Sequence, residues 1–144
     1  MTDPMVDLYV EYGWPEHTGP SPQTRALVIQ RANGYCEWIG CKHVGTDVHH
    51  RQNRKAGGRH GASADRVNGP AYLIVACRYH HRMVTSQHGM ALAIARETGW
   101  VLFEHEDGLE VAVLTRHRPE PVFLREDGTW WPSTLPRDWR GLTT

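Results

Sequence analysis

Three cysteines and one histidine stand in two close pairs. Cys36 and Cys41 have four residues between them, and Cys77 and His80 have two. Two close pairs far apart in sequence are how tetrahedral zinc is usually assembled, each pair on a turn and the ion joining the turns. All three cysteines of the chain fall into this pattern. Structural zinc therefore outweighs the plainer alternative, a core cysteine at 77 beside an exposed His80. Three thiols also cannot complete a set of disulfides. Further histidines stand close by. His49 and His50 form a doublet inside the segment that the zinc would bridge, and His81 directly follows the last zinc ligand. A doublet at a strand end and a histidine at a helix start suit one catalytic divalent metal. Neighbours along a strand point opposite ways, so one of the doublet can face the metal and the other the substrate.

These residues need elements to hold them. Residues 1–22 contain four prolines and two glycines without periodicity, and read as an N-terminal arm. RALVIQRANG, residues 25–34, reads as a short helix with Thr24 as N-cap, Leu27, Val28 and Arg31 on one face, and Gly34 at its end. TDVHH reads as a short strand, followed by a loop over 51–69 rich in Gly, Arg and His. AYLIVAC, residues 71–77, is a continuous apolar run after Pro70 and reads as a buried strand. Residues 80–99 can be helical up to Gly99, with a break at Gly89. Beyond Gly99, WVLFEHEDGLEVAVL and PVFLREDGTWWP each read as strand, Asp-Gly turn, strand, which predicts a small antiparallel β appendage.

A length of 144 residues favours one domain. Formal net charge is zero, but Lys42 to Arg82 holds eight Lys and Arg against Asp47 and Asp65. A local basic patch is what a phosphate-binding surface requires, whatever the total charge. The first residues lack the basic start and apolar run of a signal peptide, and no stretch approaches the ~18 apolar residues of a membrane span. The expectation is a soluble cytoplasmic protein with no membrane partner. A zinc deaminase needs His-x-Glu with Pro-Cys-x-x-Cys, and a zincin needs His-Glu-x-x-His. Neither pattern is present.

RALVIQRANGYCEWIGC, DVHHRQNRKAGG, NGPAYLIVACRYHHRMV and ETGWVL together resemble the HNH endonucleases (ββα-metal nucleases), in particular the compact phage and prophage type. The resemblance covers about residues 25–102 and rests on the combination of its parts. It implies an α+β fold: a small ββα-metal core stapled by structural zinc, with an N-terminal helix and the C-terminal antiparallel β appendage. The chain then divides into the arm 1–22, a nuclease core 23–100 and a β-hairpin extension 101–144. It also implies roles. Cys36, Cys41, Cys77 and His80 hold the structural zinc. His49 and His81 ligate a divalent catalytic metal (Mg, Mn, Ni or Zn), and His50 is the general base. His88, seven residues beyond His81, is about two helical turns along and a candidate third ligand if the helix continues. Arg51, Arg54, Lys55 and Arg59 hold DNA phosphates. The chain departs from the family at its central Asn, normally nine residues before the ligand His, where Tyr72 stands. Asn68, four residues earlier, or the Tyr72 hydroxyl could take over the bracing of the base.

The implied reaction is hydrolysis of phosphodiester bonds in double-stranded DNA, nicking or cutting. A metal on neutral imidazoles would stabilise the charge that develops on phosphoryl and leaving oxygens. Imidazole, with a reference pKa near ~6.5, keeps a large neutral fraction at pH 7 and can accept the proton of the attacking water. The alternative is a zinc-stapled DNA-binding or assembly module with a weakened nuclease site, supported by Tyr72. Family roles include packaging beside a phage terminase, genome cleavage during infection, and restriction of modified DNA.

Overall fold

The computed structural model describes residues 19–52 and 65–134. It is a small mixed α+β protein, and the described residues include two separate two-stranded antiparallel sheets. Helix α1 is Pro22–Arg31. Its N-cap is Ser21, not the expected Thr24: Ser21 Oγ accepts from the Thr24 N–H at 3.1 Å, and Pro22 sits at the first helical position. Proline costs nothing there, because that N–H has no helical partner in any case. The helix stops at Arg31, and the chain turns away through Asn33 and Gly34, both with positive φ.

Strand β1 (Asp47–His50) pairs with β2 (Leu73–Ala76), with His49 opposite Ile74 and His50 opposite Leu73. All four residues of β2 are buried, as its unbroken apolar run predicts. Leu73 and Val75 face Val28 and Ala32 of the α1 segment, while Ile74 and Ala76 belong to the main core. Strand alternation thus joins the two clusters through one strand. The segment just before β2, Pro70–Tyr72, is a single 3-10 turn rather than strand.

The expected helix over 80–99 is two helices, α2 (Arg78–Val84) and α3 (Gly89–Glu97). Gly89, with φ +61°, opens α3. Gly99 ends the unit with φ +82°, and a Cβ there would lie 2.3 Å from the Ala112 carbonyl oxygen. Only glycine tolerates both conditions.

Beyond Gly99 one of the two expected hairpins forms. Strands β3 (Val122–Leu124) and β4 (Trp130–Pro132) pair antiparallel about the Asp127-Gly128 turn. Residues 101–112 carry no strand, and just beyond them Val113 makes an isolated antiparallel bridge with Val122. The other Asp-Gly turn does form locally, with Asp107 Oδ1 accepting from Leu109 N at 2.9 Å. What prevents pairing is that the carbonyls here are taken by side chains from 51 and 52, described below. The surviving hairpin is packed into the body of the molecule, because Val113, Val122 and Leu124 share the main core with Tyr72, Ile74 and Trp100. Among the described residues no helix is long and apolar enough to cross a membrane.

Candidate metal centre and histidine site

The four residues paired in the sequence come together. The ligand atoms of Cys36, Cys41, Cys77 and His80 all lie within 4.8 Å of one another. Cys36 and Cys41 come from the turn after α1, which a Cys41 N–H to Trp38 carbonyl bond of 3.0 Å closes. Cys77 caps α2, and His80 sits in its first turn. His80 Nδ1 is 3.3 Å from Cys77 Sγ and 3.6 Å from Cys36 Sγ. A tetrahedral zinc with bonds of about 2.0–2.3 Å separates N and S donors by about 3.5 Å. Geometry and donor set therefore fit a metal such as zinc. The three cysteines are buried, and burial pushes the Cys36 thiol up to about 12 against the pull of backbone hydrogen bonds. A thiolate there needs a cation beside it. Trp38 stacks on His80 with ring centroids 5.1 Å apart, which holds the imidazole from its outer face.

The second constellation is histidine. His49, His50 and His81 line one opening of about 210 Å³, together with Val84, Gln87 and Val101. His49 is buried, and its Nε2–H donates to the Trp100 carbonyl at 2.7 Å. Burial lowers its pKa to about 3, so it is neutral at physiological pH and carries its lone pair at Nδ1. The His81 ring stands edge-on to it, with centroids 5.6 Å apart. His81 Nδ1–H donates to Asp47 Oδ2 at 2.7 Å. Burial pushes the Asp47 carboxyl up, but His81 and Arg78 outweigh it and hold the group below the usual carboxylate range. His50 Nε2–H donates to Asn68 Oδ1 at 2.8 Å.

The other sequence expectations divide. Asn68 is the residue bonded to His50, whereas the Tyr72 hydroxyl donates to Asp107 Oδ1 at 3.1 Å and its ring is buried in the core. His88 is not on the helix of His81. It stands before α3 in an extended conformation, because α2 ends at Val84, and it does not line the opening. The Arg51 side chain is not presented to solvent, as the phosphate contact expected of it would require. It is fully buried, and its guanidinium donates to the carbonyls of Ala71, Gly99, Gly108 and Val111 at 2.8–3.0 Å. Burial lowers its pKa to about 9, still protonated at neutral pH. Gln52, also buried, donates to the carbonyls of Phe103, Glu104 and Glu106. Arg54, Lys55 and Arg59 lie outside the described residues.

Two partners were missed from sequence. Asp47 had a signal, being one of two acids between Lys42 and Arg82, and two residues from His49 on the same strand face. The Trp100 carbonyl had none, since a backbone acceptor has no sequence signature. Comparison of the chain with protein-family models, with curated proteins and with solved structures returned no match.

Proposed function

We propose that the protein is a metal-dependent endonuclease of the HNH kind, which hydrolyses phosphodiester bonds in double-stranded DNA. The observation that carries this reading is the convergence of His49, His50 and His81 in one opening, with His49 held at Nε2 by the Trp100 carbonyl and His81 at Nδ1 by Asp47. Metal-binding histidines characteristically donate their other N–H to a carbonyl or carboxylate, as His49 does to Trp100 and His81 to Asp47. His49 through Nδ1 and His81 through Nε2 would hold a divalent ion. When bound, such an ion supplies Lewis-acid stabilisation of the phosphoryl and leaving oxygens. His50 does the proton chemistry: Nδ1 takes a proton from the attacking water. Asn68 holds the opposite edge and favours the imidazolium through the Nε2–H bond. The Cys36–Cys41–Cys77–His80 centre staples the first knuckle to the start of α2, and so fixes His81 relative to β1.

Tyr72 in place of the family's Asn favours a second reading, a zinc-stapled DNA-binding or assembly module without cleavage. The two readings separate on supercoiled plasmid. Zinc-loaded protein supplied with Mg²⁺ or Mn²⁺ is expected to yield nicked or linear DNA, and to yield none when those ions are withheld. Retarded but uncut plasmid in every metal, with folded protein, would replace the nuclease with the binding module.

A further inference from the structure

Adjacent histidines at the start of α2 use the same nitrogen for opposite purposes. His80 turns Nδ1 toward the sulfurs of Cys36 and Cys77, whereas His81 commits Nδ1 to Asp47. The nitrogen left on His81 to take a metal is therefore Nε2. In water the Nε2–H tautomer of histidine predominates, which would put the proton on the very atom that a ligand must keep bare. An acceptor at Nδ1 reverses that preference.

We propose that Asp47 is the positioning residue of the histidine site: its carboxylate selects the Nδ1–H tautomer of His81 and leaves Nε2 as the metal donor. This rests on the reading of His49 and His81 as ligands of one divalent ion. Three features support it. The Asp47 side chain is 13% exposed, so water competes little for its oxygens. Arg78 grips it with both arms, Nε to Oδ2 at 3.0 Å and a terminal nitrogen to Oδ1 at 3.2 Å, which fixes the carboxylate plane. Asp47 and His49 stand two apart on β1, so one strand face carries one ligand and the group that orients the other. A carboxylate partner also makes an imidazole a stronger donor, and its loss typically costs about 10–100-fold in metal affinity.

The test uses zinc-loaded, ¹⁵N-labelled full chain with no other divalent ion. Long-range ¹H–¹⁵N correlation of the His81 ring should show Nδ1 protonated and Nε2 bare. Asp47→Ala should move the proton to Nε2, wholly or in part. Asp47→Asn keeps an oxygen that can accept from Nδ1 and should stay nearer the parental pattern. Mn²⁺ titrated into the same samples should bind Asp47→Ala about 10–100-fold more weakly than wild type, with Asp47→Asn between. A merely structural ion pair would lower the melting temperature and leave the tautomer unmoved. Wild-type His81 protonated at Nε2, or the same tautomer in Asp47→Ala and wild type, overturns the role of Asp47. A His81 that shifts its proton as expected in a protein that takes up no Mn²⁺ overturns the ligand reading, and with it the metal-directed part of the inference. Should Asp47→Ala not fold, Asp47→Asn and the wild-type tautomer still decide.

Discussion

At the scale of single residues, two buried charges hold separate parts of the chain together. Arg51 offers its fork of donors to four carbonyls and holds the chain from Gly99 to Val111 against the end of β1. Replacing it with Met leaves those carbonyls unpaired and should cost about 3 kcal/mol or more in urea unfolding. Lysine should not rescue it, because a point charge cannot reproduce the planar fork. For folded Arg51→Met, the slope of log affinity for DNA against log salt should be unchanged. A phosphate-binding arginine would reduce it by about 0.9. The second charge is Glu37, fully buried, with Arg31, His117 and the Val75 N–H on its oxygens. Burial raises its pKa, but Arg31 and these hydrogen bonds prevail and lower it overall. A carboxyl with a depressed folded pKa contributes stability that is present above its unfolded value and is lost as pH falls through the folded one. Glu37→Gln should therefore be less stable than wild type at pH 7 by about 3–5 kcal/mol, since it strands the buried Arg31. The gap in urea midpoint should narrow as pH drops below ~4.3, the ordinary glutamate value. Any release of zinc at low pH is common to both chains and cancels in that difference. In the sequence, the cysteine and histidine spacings were legible at this scale, and the fate of Arg51 was not. A basic residue beside a histidine doublet reads as a surface contact until the carbonyls folded around it are seen.

At the scale of elements, strong local signals carried through and balanced ones did not. LIVA forms β2 because an unbroken apolar run leaves little choice, and DVHH pairs with it as β1. The PVFLREDGTWWP hairpin forms about its Asp-Gly turn. The similar pattern at 100–114 does not pair, because Arg51 and Gln52 take its carbonyls in place of a neighbouring strand. The cap of α1 was misplaced by three residues because Ser21 and Thr24 are both good caps. Pro22 decides between them, since it favours the first position inside a helix. Ser21→Ala should accordingly cost about 1 kcal/mol in thermal unfolding, and Thr24→Ala distinctly less. Equal losses would return the cap to Thr24. The split of residues 78–97 into α2 and α3 removes His88 from the helical register of His81. Gly89 had signalled that break without fixing where the first helix would stop.

At the scale of the whole molecule, the cysteine–histidine centre and the histidine opening share helix α2, which brings His80 to the centre and lines the opening with His81. A chelator that strips the centre should loosen both. One zinc per chain should be lost, the melting transition should fall and broaden, and Mn²⁺ binding should disappear with it, read by elemental analysis, calorimetry and titration. A chain that keeps its melting temperature after losing zinc would show the staple to be unnecessary. The central claim, that His50 is the base of a nuclease, is tested most directly by single-turnover cleavage of a labelled duplex. The comparison is between wild type and His50→Ala, each zinc-loaded, folded and supplied with Mn²⁺. Removal of a positioned base should slow cleavage about 10²–10⁴-fold while duplex affinity stays near the wild-type value. Cleavage by His50→Ala at the wild-type rate would contradict the account.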